Sequence, residues 1–129
     1  TAGGTARQYI VRDLGASLGK TSAPAFSRWL GTRVAQGNRN DIDGFEEQGF
    51  IESVAGDRVE FDYSGIYHAV VDTVTPADVV WTCPLLSRIS DGQWNDAFRA
   101  GGYPPDTAAR YIAKLKSKIA EGLALAASS

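Results

Sequence analysis

The sequence predicts an α+β domain: a short buried strand and a β-hairpin, followed by about three C-terminal helices. Three observations carry this. Residues 8–13 are apolar on both faces, as in a strand covered from both sides. Residues 50–63 hold two alternating runs about a glycine turn. From residue 75 onward helix-start signals recur, each ahead of an apolar stripe.

In chain order, residues 1–7 are small and polar and read as a flexible end. They lack the basic start and apolar centre of a signal peptide. Residues 8–124 read as one α+β domain and residues 125–129 as a frayed tail. The strand at 8–13 runs into Asp13 and then into a Gly/Ser/Thr loop over 14–23. Phe26, Trp29, Leu30 and Val34 fit a short helix bounded by Pro24 and Gly31. Residues 37–41 are a polar Asn/Asp loop. In the hairpin, Val59, Phe61 and Tyr63 share one face, while Arg58, Glu60 and Asp62 share the other. Ala55-Gly56-Asp57 is the turn, with Gly56 supplying a positive φ. Residues 66–71 are a candidate third strand.

Thr75-Pro76-Ala77-Asp78 is a helix start, with Thr75 as N-cap and Pro76 at the first helical position. Pro84 implies a kink or a restart in that helix. Ser90 and Gln93 form a second capping box, and Gly101-Gly102 closes the helix with a left-handed cap. Pro104-Pro105-Asp106 opens the last helix, whose apolar face is Ala108, Tyr111, Ile112, Leu115, Ile119 and Leu123.

Composition excludes some functions. The chain is 43% hydrophobic, yet no apolar run nears the roughly 20 residues that span a bilayer. Net charge is −2 with no block of either sign, which argues against a nucleic-acid partner. Lys114, Lys116 and Lys118 spread around a helix rather than forming a patch. Cys83 is the single cysteine, so no intramolecular disulfide forms; this leaves a soluble cytoplasmic protein and an exported one both open. A chain that begins at Thr1 and holds no methionine reads as a processed product or a piece of something longer.

Asp13 leads the residues that could carry chemistry. A carboxylate at a strand end beside a glycine loop suits a hard cation such as Mg²⁺. The alternative is structural: Asp13 caps its own loop, or pairs with Arg12 or Lys20. Ser17 and Lys20, on the same loop, are the candidate nucleotide contacts. Gly19-Lys20-Thr21 resembles the end of a phosphate-binding P-loop, but Leu14 stands where the first glycine belongs, so that reading is set aside. Asp41, Asp43, Glu46 and Glu47 lack calcium-loop spacing and read as a solvated loop. His68 has no second histidine and no nucleophile elbow nearby, and reads as a half-buried strand residue. Cys83 reads as an inert core thiol, and Trp29, Trp81 and Trp94 as core residues.

The order of motifs adds a resemblance. Arg12-Asp13-Leu14-Gly15-Ala16-Ser17-Leu18-Gly19-Lys20 comes first, then Asn38-Arg39-Asn40-Asp41-Ile42-Asp43-Gly44-Phe45-Glu46, then Phe50-Ile51. Asp91-Gly92-Gln93-Trp94-Asn95-Asp96-Ala97-Phe98-Arg99-Ala100-Gly101-Gly102-Tyr103 follows. Together these resemble the C-terminal part of a family of largely uncharacterised bacterial proteins. There the Asp-Leu-Gly segment follows an Asn-Trp-Asp-x-Lys-x-x-Asn segment, and the pair is similar to the catalytic loop and metal-binding Asp of atypical, lipid-kinase-like kinases. The resemblance implies that Asp13 holds Mg²⁺ against the phosphates of ATP. It also implies that this chain is the C-terminal portion of a kinase-like lobe. The upstream segment, a nucleotide-covering glycine loop and the phosphate-pairing lysine of such kinases, distinct from Lys20, do not occur here, so no activity is expected of these 129 residues alone. The partner implied is the missing N-terminal segment or another protein chain. The competing expectation is a non-catalytic accessory module that packs on a protein partner.

Overall fold

The computed structural model describes residue 18, residues 40–63 and residues 68–127. The expected strand at 8–13 and the short helix within 24–37 lie outside the described residues. Within them the order is α1 (Ile42–Glu47), β1 (Ile51–Ala55), β2 (Arg58–Phe61), α2 (His68–Val71), α3 (Pro76–Leu86), α4 (Asp91–Ala100) and α5 (Pro105–Ala127). This is the α+β arrangement the sequence predicts: an antiparallel hairpin, with the longer helices in the C-terminal half.

The hairpin forms where alternation and turn chemistry agree. Ala55 pairs with Arg58, Val54 with Val59 and Ser53 with Glu60. The register then slips between Ile51 and Ser53. Gly56, at φ 63°, occupies the first central position of the two-residue turn, where a side chain would be strained. Val59 is buried while Arg58 and Glu60 face out, as alternation requires. The Val59 amide donates to the Val74 carbonyl at 2.9 Å, and Ile51 N–H donates to Glu121 Oε2 at 3.3 Å. These bonds pin the hairpin to the loop before α3 and to α5.

The helix boundaries follow their caps. Thr75 Oγ1 accepts from Asp78 N–H at 3.2 Å, and Asp78 Oδ2 accepts from Thr75 N–H at 2.9 Å. Ser90 and Gln93 close the same box on α4. The left-handed residue after α4 is Gly102, at φ 79°, whereas Gly101 keeps helical geometry. Gly102 N–H donates to the Arg99 carbonyl and Tyr103 N–H to the Phe98 carbonyl, a Schellman ending. Its hydrophobic contact is the Phe98–Tyr103 ring pair, 5.2 Å apart.

Three expectations are corrected. Residues 42–47 are not a solvated loop but helix α1, with Asp41 as N-cap accepting from Gly44 N–H at 3.0 Å. Residues 68–71 are a helical turn, not the end of a third strand. The helix does not restart at Pro84: α3 runs without a break to Leu86. Pro84 lies in the last turn, so its missing N–H forfeits a single intrahelical bond, the one to the Val80 carbonyl, and Ser87 Oγ donates back to the Pro84 carbonyl at 2.9 Å. At the far end α5 continues helical to Ala127, with Leu125 packed against the core.

α5 is the spine of the described body. Its first half joins an aromatic cluster of Phe45, Phe98, Ala108, Tyr111 and Ile112. Its second half joins Val59, Val79, Cys83 and Ile119, between the hairpin and α3. Trp94 packs against both clusters and links them. Where α3 crosses α5, Gly122 brings the backbones together: a Cβ there would lie 2.2 Å from Cys83 Sγ.

Candidate functional site

Asp13, Ser17 and Lys20 lie outside the described residues. Leu18, between the latter two, does not, and it is tied to the body twice. Its side chain packs against the aromatic cluster, and its carbonyl accepts a hydrogen bond from the Tyr111 hydroxyl at 2.9 Å. Tyr111 is 0% exposed. Phe45, Phe98 and Tyr103 surround its ring at centroid distances of 5.4, 5.8 and 5.5 Å. Burial, and then the neighbouring Tyr103 and Asp41, push the Tyr111 hydroxyl above the usual tyrosine range. It therefore stays protonated and able to donate. α5 sets this geometry because Ala108, Tyr111 and Ile112 recur at helical spacing on one face.

Beside this cluster α1 and α5 are joined by charge. Arg110 Nη2 donates to Asp43 Oδ1 at 2.6 Å and also to Glu46 Oε2, while Nε donates to Glu46 Oε1 at 3.0 Å. The bonds from Arg110 hold the Glu46 carboxyl below its ordinary range and push the guanidinium further up. Two of the four acidic residues in that segment are thus occupied by Arg110, and Asp41 by its capping bond. Among the described residues no group of His, Cys, Asp and Glu could hold a metal ion.

The lysines disperse as the sequence implies. Lys116 pairs with Asp91 at the start of α4. Lys118 lies over the Phe45 ring, 4.7 Å from its centroid, and 5.8 Å from that of Phe50. Desolvation, reinforced by Lys114, pulls its ammonium below the usual lysine range, while the ring faces favour the charged form. Cys83 is buried, and burial pushes its thiol up, so it is the inert core thiol expected. His68 opens α2 rather than standing in a strand.

Trp81 departs from its reading as core. It is 72% exposed, whereas Trp94 is half-buried between the two clusters and Trp29 lies outside the described residues. Leu85, one turn along from Trp81, is exposed as well. The signal was present: Val79, Val80, Trp81, Cys83, Leu85 and Leu86 surround α3, more apolar residues than one packed face accommodates. α3 spends Val79 and Cys83 on α5 and leaves Trp81 and Leu85 outward. Sequence reasoning also missed Tyr111 as anything beyond a stripe residue, and Arg110 altogether. An arginine one position before a buried tyrosine, facing an acidic run in sequence, carries no local sign of either role.

Among the described residues no helix is long and apolar enough to cross a membrane. Comparisons with protein-family models, with curated proteins and with solved structures give no match for this chain.

Proposed function

We propose that this chain is the C-terminal portion of an atypical kinase-like phosphotransferase, with Asp13 as the Mg²⁺ ligand and Ser17 and Lys20 toward the nucleotide phosphates. The motif order in the sequence suggests it. The observation that best supports it is the seating of Leu18 in the aromatic cluster, its carbonyl bonded to Tyr111 at 2.9 Å. A segment that must present a carboxylate and a lysine needs such a fixed point, because phosphoryl transfer depends on positioning and electrostatic stabilisation. When bound, Mg²⁺ would neutralise charge on the β- and γ-phosphates. Asp13 would hold it, and Lys20 would add a cation at the same phosphates. The catalytic base and most of the nucleotide site belong, on this reading, to an upstream segment or another chain.

Calorimetric titration with ATP, with and without Mg²⁺, tests the proposal. Weak Mg²⁺-dependent binding that vanishes in Asp13→Asn is the expected result; binding unchanged by Asp13→Asn sinks it. One observation favours the alternative of a non-catalytic accessory module on a protein partner: the exposed Trp81 and Leu85 on adjacent turns of α3. That reading expects no nucleotide binding at all.

A further inference from the structure

We infer that the outward face of α3 is a self-association surface. Two copies of this chain pair through it, antiparallel about a two-fold axis, with Trp81 of each packing on Leu85 of the other. The inference stands apart from the phosphotransferase reading and gives this face one occupant, a second copy of the chain.

α3 has two nearly opposite faces. Val79 and Cys83 turn inward, to the cluster that includes Ile119 of α5. On the outward side run Asp78, Trp81, Leu85 and Arg88, spaced three, four and three residues apart. That is the spacing of a seam between two packed helices. All four are exposed, Trp81 at 72% and Leu85 at 43%. Arg88 lies just past the end of α3, but its N–H donates to the Leu85 carbonyl at 3.2 Å, so it continues the turn of the helix. Burying a tryptophan and a leucine that stand one turn apart is the apolar gain such a seam offers.

Charge order selects the occupant. Along the seam the residues read acid, aromatic, aliphatic, base. Trp81 and Leu85 lie two residues either side of position 83, and Asp78 and Arg88 five either side. A reversed copy centred on position 83 therefore sets Trp81 against Leu85 and Asp78 against Arg88, each twice, as an isologous contact requires. A parallel copy would oppose like charges at both ends. The positions beside the seam, Ala77, Thr82, Pro84 and Ile89, carry no charge, so Asp78 and Arg88 set the orientation. Both have capacity for it. The bonds of Asp78 to the Thr75 N–H and hydroxyl use Oδ2, and a carboxylate accepts at its second oxygen as well. Arg88 has no ion-pair partner among the described residues. A face meant for a protein of unrelated sequence has no need to complement its own reversal. One short seam per copy lies at the small end of interfaces, below about 1,200 Å² in total, where association is transient.

Sedimentation equilibrium on the full chain tests the pairing. Between about 5 and about 500 μM the mean mass should rise from that of one chain toward that of two, as a transient contact requires. Trp81→Ser should weaken association about tenfold or more, by removing the central aromatic. Arg88→Glu should do the same by setting two acids together. Neither residue belongs to a cap or a core cluster, so both variants should keep their fold. Asp78→Lys combined with Arg88→Glu exchanges the two charges and should restore association, which damage to the surface could not do. Far-ultraviolet dichroism checks that this double variant is folded, since Asp78 also serves the capping box. A chain that stays single at every concentration overturns the dimer and leaves the face to a different protein. Association that survives Trp81→Ser lies on another surface and overturns it as well. Undiminished association in Arg88→Glu, or no recovery in a folded double variant, overturns the antiparallel pairing.

Discussion

Substituting Gly122 by alanine should destabilise this protein, although the same change in an isolated helix would stabilise it. Position 122 is inside α5, where replacing glycine with alanine ordinarily gains about 1 kcal/mol. Here the new Cβ would lie 2.2 Å from Cys83 Sγ, 3.2 Å from Cys83 Cβ and 3.1 Å from Val79 Cγ1. Ordinary contact is about 3.5–4.0 Å, so the sulfur must retreat by roughly 1.5 Å. Rotating the thiol relieves the first clash but not the other two, which belong to the root of Cys83 and to a stiff β-branched residue. α3 must therefore shift off α5, loosening Val79, Cys83 and Ile119. Overpacking of this kind costs about 1–3 kcal/mol and typically exceeds the propensity gain. A net loss of about 1–2 kcal/mol corresponds to a drop in Tm of several degrees, at about 4 °C per kcal/mol for a chain this size. Urea unfolding followed by far-ultraviolet dichroism and tryptophan fluorescence measures it, Trp94 being the half-buried reporter. The decisive arm is a double-mutant cycle with Cys83→Ala, which removes the 2.2 Å contact and should recover part of the loss. A rise in the urea midpoint for Gly122→Ala, or strict additivity with Cys83→Ala, refutes the close crossing.

Three further outcomes follow from the same geometry. Thr75→Ala and Ser90→Ala should each lose about 1 kcal/mol, because each removes the side-chain acceptor of a complete capping box, measurable as a shift in urea midpoint with unchanged slope. Acidification should remove stability through two carboxylates: Asp78, lowered by the backbone and hydroxyl bonds of Thr75, and Glu46, lowered by its bond from Arg110. Both folded values lie below the ordinary ones, so the contribution is complete above about pH 4.5 and is lost as pH falls through the folded values; Asp78→Asn and Arg110→Gln should each flatten that acid limb, and an unaltered limb in both counts against the bonds. Trp81→Ser should change stability by less than about 0.5 kcal/mol and remove a long-wavelength component of the emission, whereas Trp94→Ser should lose clearly more, by chemical denaturation.

Local chemistry decided what could be read from the sequence. The turn at Gly56, the boxes at Thr75–Asp78 and Ser90–Gln93, and the glycine ending of α4 are set within four or five residues, and each occurs as expected. α1 was not legible, because a six-residue helix is not stable on its own chain. It persists because Phe45 is buried against Tyr111 and because Arg110 reaches Asp43 and Glu46 from more than sixty residues away. Residues 66–71 are apolar and β-branched, a run short enough to suit strand or helix, and His68–Val71 took the helix. Trp81 was misassigned because an apolar residue on a helix says nothing about whether a neighbour exists on that side. Of the candidate site, the sequence named Asp13, Ser17 and Lys20 by chemistry and by resemblance. It gave no hint of Tyr111, since tyrosine and phenylalanine are interchangeable in an apolar stripe until the hydroxyl's partner is known.

The two ends of α5 show why the competing functional readings are separable by experiment. Where it meets α3 at Gly122 the helix is packed by shape, against Cys83 and Val79, while the adjacent Glu121 accepts the Ile51 N–H of the hairpin. Near Tyr111 it carries directional information: Arg110 to α1, Tyr111 to Leu18, and the adjoining Tyr103 to Asn40. Residues 111 and 122 are about 16 Å apart along the helix axis, at 1.5 Å per residue. Perturbations at that distance without shared partners add. An accessory module working through Trp81 would depend on α3, and so on the Gly122 crossing; the proposed phosphotransferase reading draws its support from the Tyr111–Leu18 bond. Gly122→Ala should therefore disturb the first and spare the Tyr111–Leu18 bond, and Tyr111→Phe should do the reverse. Should each substitution disturb both clusters alike, the clusters are not independent and Trp94, which touches each of them, is the residue that couples them.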